Sequence, residues 1–202
     1  MRSLVAFVGI IAFIVLACSA RMTSHSLTRY TPAGWMATGD ALVSNDYVRI
    51  VPDRQSKRGG FWNLEPVLYP SWQIQYDFRV HGVSPVGADG LAFWYVKDPS
   101  MNPGPLFGND ELFTGLGIIL DTYDNENTGT HPYLFALRND GSFHYTFKEH
   151  DHRDHTQGVQ DINGIVGELA GCTAKLRNYK DVSAIRVTYL NTNLQVASRT
   201  TS

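Results

Sequence analysis

Alternation is the first pattern the chain offers. Trp72, Ile74, Tyr76, Phe78 and Val80 alternate with Gln73, Gln75, Asp77 and Arg79, a period of two that predicts a strand with one buried and one wet face. Leu91 to Val96 and Leu116 to Leu120 are near-continuous apolar runs, as expected of central strands covered on both sides. Tyr133 to Leu137, then Asn139-Asp140-Gly141, then Phe143, Tyr145 and Phe147 at period two, predict a hairpin around a glycine-containing loop. Ile185, Val187 and Tyr189 predict a further strand. No comparable helical period follows the N-terminal region. Many strands punctuated by Gly, Pro and Asn predict an all-β sandwich or barrel, and no internal repeat, low-complexity segment or interdomain linker divides it.

The N-terminus departs from this pattern. Met1-Arg2 gives a positive start, Leu4 to Leu16 an apolar core, and Cys18-Ser19-Ala20 small residues suited to cleavage after Ala20, the layout of a signal peptide. The competing reading is an uncleaved anchor, because Leu4 to Ala20 is 17 residues and touches the lower end of the spanning range. No later segment is long and apolar enough to span a bilayer as a helix. The expected organisation is a signal peptide at 1–20 and one domain at 21–202.

Composition narrows the partners. Of 202 residues, 43% are hydrophobic and 18% charged, with a formal net charge of -2, which suits a globular domain with a sizeable core. It leaves no basic footprint for nucleic acid. Arg54, Lys57 and Arg58 form only a short positive patch, read as a solvated loop.

Candidate chemistry concentrates at two places. Asp121-Thr122-Tyr123-Asp124-Asn125 follows the apolar run that ends at Leu120, and gathers oxygen donors where a strand opens into a loop. Calcium takes carboxylates, amide oxygens and backbone carbonyls together, whereas the bland alternative is an Asp/Asn turn satisfying its own backbone. Gly87-Ala88-Asp89-Gly90 places one carboxylate just before the apolar strand Leu91 to Val96, an expensive position for a charge without a partner.

These motifs, with Gly60-Phe61-Trp62-Asn63, Pro103-Gly104-Pro105-Leu106-Phe107-Gly108, Gly115-Leu116-Gly117, Asn139-Asp140-Gly141-Ser142 and Gly171-Cys172-Thr173, resemble the legume-type lectin domain of animal secretory-pathway cargo receptors. The resemblance runs from about His25 to Leu194. It is strongest to the vesicular integral-membrane lectins and more distant to the mannose lectin of the ER-Golgi intermediate compartment. It implies a legume-lectin jelly-roll sandwich in the lumen of the ER, the intermediate compartment or the Golgi, or a secreted one. It also implies calcium-dependent binding of high-mannose N-linked glycans on glycoprotein cargo. Under it, Asp121, Tyr123, Asn125 and Asp154 would hold Ca2+, with Asp124 available for a second ion. Asp89 would accept from two sugar hydroxyls, Asn125 would read the sugar while ligating metal, and Ser56 matches a further sugar contact. The resemblance also implies a cis Ala88–Asp89 peptide.

Departures from the family pattern matter as well. Relatives carry a Tyr-Asp-His-x-x-Asp stretch after the hairpin, whereas this chain reads Tyr145-Thr146-Phe147-Lys148-Glu149-His150-Asp151-His152-Arg153-Asp154. His150 and His152 are both candidates for the sugar-contacting histidine, and Asp151 is a fallback for Asp154. A transition-metal site in this cluster is the weaker alternative, since the ligand spacing is unconvincing. Gly158 to Gly167 resembles an insertion. Ile119 stands where plant lectins place a manganese-binding glutamate, which disfavours a paired manganese site. It also removes the first acid of the Glu-x-Asp-x-x-Glu array used by glucanases of this architecture. The family's later strands, its second cysteine and its Gly-Asp-Leu sugar loop have no counterpart before Ser202. The jelly roll is therefore expected to be truncated at its C-terminus, with Cys172 separated from its partner. A non-binding structural or regulatory fragment is the main rival to a working lectin.

Overall fold

The computed structural model describes residues 25–27, 34–83, 89–125, 127, 129, 131–145, 167–173, 182–190 and 192–200, with 167–173 and 200 described by backbone alone. Every regular element among them is a strand: β1 (Trp35–Gly39), β2 (Leu42–Val43), β3 (Val48–Arg49), β4 (Gly59–Asn63), β5 (Trp72–Phe78), β6 (Gly90–Val96), β7 (Thr114–Asp121), β8 (Tyr133–Asp140), β9 (Gly167–Thr173), β10 (Ser183–Leu190) and β11 (Asn193–Thr200). A four-stranded sheet runs β6-β7-β8-β9 and a three-stranded sheet runs β11-β10-β5, with smaller pairs β1-β4 and β2-β3. All pairings are antiparallel. No described helix is long and apolar enough to cross a membrane.

The two larger sheets pack face to face. Ile118, Leu120, Leu134 and Ala136 from β7 and β8 meet Ile185 and Val187 of β10, with Trp72, Ile74, Tyr76 and Phe78 of β5 packed against them. The alternation in β5 therefore does what its sequence predicts, turning its apolar positions inward and leaving Gln73, Gln75 and Asp77 exposed. The strand ends at Phe78, so Arg79 and Val80 lie beyond it.

The other face of β7 and β8 is buried too. Ile119, Tyr133, Phe135 and Leu137 form a second cluster with Leu106, Phe113 and Tyr145. Burial on both faces explains why the sequence of these strands is an apolar run. Close packing on this side depends on Gly117, opposite Trp94. A Cβ there would come within 2.5 Å of the indole ring.

Beyond β8 the structure differs from the expected hairpin. The turn is present: Asn139 Oδ1 accepts the Gly141 N–H at 3.0 Å, and Asp140 Oδ1 accepts from the Ser142 amide and hydroxyl. The Ser142 hydroxyl and amide hold the Asp140 carboxyl below the usual carboxylate range. Phe143 and Tyr145, however, do not pair back along β8. Both edges of β8 are already taken, by β7 and β9, so these aromatics pack into the second cluster instead. The Tyr145 N–H donates to the Glu111 carbonyl at 3.1 Å. Phe147 lies outside the described residues.

Strand β11 has no strong sequence signal and is held by pairing. Leu190 faces Asn193 in the register, and Thr192, just before the strand, has a φ of 67°.

Tyr76 gives a test of this packing. Its hydroxyl is buried without a hydrogen-bond partner among the described residues, and burial pushes its pKa well above the ordinary value. A folded-state pKa raised above the unfolded one means stability present below about pH 10 and lost as pH rises further. Tyr76→Phe removes the unsatisfied hydroxyl and keeps the ring, so it should leave stability at pH 7 unchanged or higher. It should also flatten the alkaline loss. Urea unfolding of both proteins across pH 7 to about 11 checks this, and equal alkaline slopes would contradict it.

Candidate functional site

The site grows from the last residue of β7. Positions 119 and 121 share one face of the strand, so Asp121 follows the fully buried Ile119 on the side of the second cluster. It sits between Gly90 on β6 and Tyr133 on β8. Only 3% of Asp121 is exposed. Gly90 is required at its place, because a Cβ would lie 2.0 Å from the Leu120 carbonyl oxygen.

A buried carboxylate needs donors, and the loop after β7 supplies them. The Tyr123 N–H donates to Asp121 Oδ1 at 2.9 Å, and His131 Nε2 lies 3.5 Å from Asp121 Oδ2. The other ring nitrogen, Nδ1, lies 3.3 Å from Asp124 Oδ1, while Asp124 Oδ2 accepts the Gly129 N–H at 2.7 Å. His131 is itself buried, with 8% of its side chain exposed. Tyr123, Gly129 and His131 thus close on the carboxylates of Asp121 and Asp124, with Tyr123 partly exposed and Asn125 exposed at the surface.

Asp89 joins the same loop from β6. Its carbonyl accepts the Thr122 N–H at 2.7 Å and the Thr122 hydroxyl at 3.1 Å. Asp89 adopts a φ of 49° and is exposed. Ser56 occupies the connection between β3 and β4 with a φ of 59°, also exposed. Left-handed φ values in non-glycine residues are uncommon, and here two expected sugar contacts have them.

The structure therefore brings Asp89, Asp121, Tyr123, Asp124 and Asn125 to one pair of loops. Ala88, and with it the Ala88–Asp89 peptide, lies outside the described residues, as do His150, His152, Asp151 and Asp154. Among the described residues no group of three or more His, Cys, Asp and Glu side chains is arranged around a metal position. The expected calcium donors in this region include only one such side chain, Asp121, the others being the Tyr123 carbonyl and the Asn125 amide oxygen. An all-oxygen set of this kind suits a hard cation.

Sequence reasoning missed His131. It stands ten residues after Asp121 in the chain, and its contact depends on how the loop closes. The available signal was the buried charge at Asp121, which demands a partner from somewhere.

Comparison with known proteins decides the family. A family model described as the legume-like lectin family matches residues 19–201. The chain belongs to this family. The VIP36-like protein of Mus musculus is 38% identical over 184 residues, covering 85% of this chain and 49% of that protein. The vesicular integral-membrane protein VIP36 of Homo sapiens is 37% identical over 166 residues, covering 80% of this chain and 43% of that protein. The chain thus spans about half the length of these relatives or less. The crystal structure of the VIP36 exoplasmic/lumenal domain in its Ca2+/Man-bound form matches with a TM-score of 0.71 at 34% identity, covering 84% of this chain and 66% of that one. Its Ca2+/Man3GlcNAc-bound form matches with a TM-score of 0.69 at 35% identity, covering 82% and 65%.

The all-β legume-lectin-like fold expected from sequence is thereby established. The family is one of lectins and not of enzymes. Ile119, where the resemblance led to no glucanase-type acid being expected, is fully buried in the apolar cluster.

His131→Ala should expose how much the loop depends on this ring. Removing the ring takes one partner from each of Asp121 and Asp124, and a net hydrogen bond is worth about 0.5–1.5 kcal/mol, so the metal-free variant should lose about that much unfolding free energy in urea. A loss below about 0.5 kcal/mol, the level of an ordinary surface change, would contradict the role given to His131.

Proposed function

We propose that this chain is a calcium-dependent carbohydrate-binding domain that takes mannose-type glycans of glycoproteins in the secretory-pathway lumen. The observation that carries the reading is the buried Asp121 at the mouth of β7, with its loop wrapped round it and tied through Thr122 to Asp89. The similarity to VIP36, whose lumenal domain has Ca2+/Man-bound and Ca2+/Man3GlcNAc-bound forms, supports the same reading.

The donor chemistry fits calcium. Asp121 would hold the ion through its carboxylate, Tyr123 through its carbonyl and Asn125 through its side-chain oxygen, with Asp154 completing the set and Asp124 available for a second ion. A bound calcium would supply fixed positive charge at the loop mouth. The chain's residues do the recognition. Asn125 would give its amide hydrogens to a sugar hydroxyl, and Asp89 would accept from two adjacent hydroxyls, since sugar hydroxyls donate and accept at once. Ser56 and one of His150 and His152 would add further contacts.

Isothermal titration with a mannose trisaccharide tests this directly. Binding should be measurable in calcium and absent in chelator. It should also weaken toward acidic pH, because calcium ligands must be deprotonated to bind. Binding that is equal in chelator and in calcium would contradict the mechanism. Of His150→Ala and His152→Ala, the one that lowers glycan affinity while sparing calcium affinity identifies the sugar-contacting histidine, and two silent variants would remove histidine from the site.

A further inference from the structure

Asp89, the carboxylate expected to accept from two sugar hydroxyls, is exposed and has a left-handed φ of 49°. Neither apolar packing nor a strand conformation holds it, and a non-glycine residue stays in that region only where its surroundings impose it. The register that pairs Gly90 with Asp121 continues to Asp89 opposite Thr122, one step beyond the last rung of the ladder. There a single residue supplies two bonds. The Thr122 N–H donates to the Asp89 carbonyl at 2.7 Å and the Thr122 hydroxyl donates to the same oxygen at 3.1 Å, which uses both lone pairs of that acceptor.

Thr122 is in turn fixed by its neighbours. It is buried, and the bond from the Tyr123 N–H to Asp121 Oδ1 at 2.9 Å closes a turn around it, the local pattern that Asp side chains favour. Two heavy atoms on its Cβ restrict the rotation that aims the hydroxyl. Any residue but proline could make the backbone bond at this position. The hydroxyl bond is what the threonine side chain adds.

We propose that Thr122 is a positioning residue for carbohydrate recognition, its hydroxyl holding the Asp89 backbone so that the carboxylate meets a mannose-type ligand in one orientation. This deepens the carbohydrate-binding reading above and rests on it. The hydroxyl bonds to Asp89 and not to a proposed metal donor, so its effect falls on glycan affinity and spares calcium affinity. Val keeps the shape of Thr without the hydroxyl, Ser keeps the hydroxyl without the methyl group, and Ala keeps neither. A packing role would make Val resemble wild type and Ser resemble Ala. A hydroxyl role reverses both.

The test titrates wild type, Thr122→Val, Thr122→Ala and Thr122→Ser with a mannose trisaccharide in saturating calcium, and each of them with calcium alone. Thr122→Val and Thr122→Ala should bind the glycan roughly two- to tenfold more weakly, the worth of one net hydrogen bond, at unchanged calcium affinity. Thr122→Ser should restore most of the wild-type affinity. Wild-type glycan affinity in Thr122→Val, or an equal loss of calcium and glycan affinity, would overturn the proposal. A wild-type protein that binds no mannose trisaccharide would overturn the carbohydrate reading itself. The positioning role is then still read in the free protein by the NMR order parameter of the Gly90 amide, whose N–H shares a peptide plane with the Asp89 carbonyl. Thr122→Val should lower it and Thr122→Ser should not. An unchanged order parameter in Thr122→Val would remove the hydroxyl from any positioning role.

Discussion

A single carboxylate buried at the end of a central strand constrains the functional end of this fold. Asp121 is nearly inaccessible to water, and an ionised group in that position must be surrounded by donors or neutralised. The apolar runs of β6, β7 and β8 create the problem, because they bury both faces of the sheet up to its edge. The loop after β7 solves it with the Tyr123 amide and the His131 ring. Loop conformation is therefore set by the charge it encloses.

That constraint links stability to recognition. The loop folds inward at Asp121 and Thr122 and becomes progressively more exposed through Tyr123 and Asp124 to Asn125 at the surface. The bonds from Thr122 to the Asp89 carbonyl tie this loop to Asp89. Exposed hydrogen bonds are individually modest. Thr122 makes two hydrogen bonds to one carbonyl and so fixes one loop against the other, which is what a small polar ligand requires of its site.

Much of the fold was legible because burial leaves a periodic record. One-sided burial wrote alternation into β5, and two-sided burial wrote apolar runs into β6 and β7. The Asp-x-Tyr-x-Asn motif was legible for a related reason, since oxygen donors at the end of an apolar run are out of character with their surroundings. The rest depends on competition between segments. Phe143 and Tyr145 alternate like a returning strand, yet β9 takes the edge of β8 and the aromatics fill the core beneath. Strand β11 pairs with β10 although the sequence between them, Asn191-Thr192, lacks the Asn-Gly signature of a hairpin. His131 carries no local sign of its role, because its partners are chosen by loop closure.

The central claim is that the Asp121 loop is a calcium site, and calcium titration of the purified chain followed by calorimetry and thermal melting tests it most directly. Wild type should bind calcium saturably and melt at a higher temperature as the ion is added, by mass action on the folded state. Magnesium should raise it less, because it favours a smaller octahedral shell. Asp121→Ala should abolish both the heat of binding and the thermal shift. A variant that retained the full calcium-induced shift would contradict the account, since the ion would then be held elsewhere.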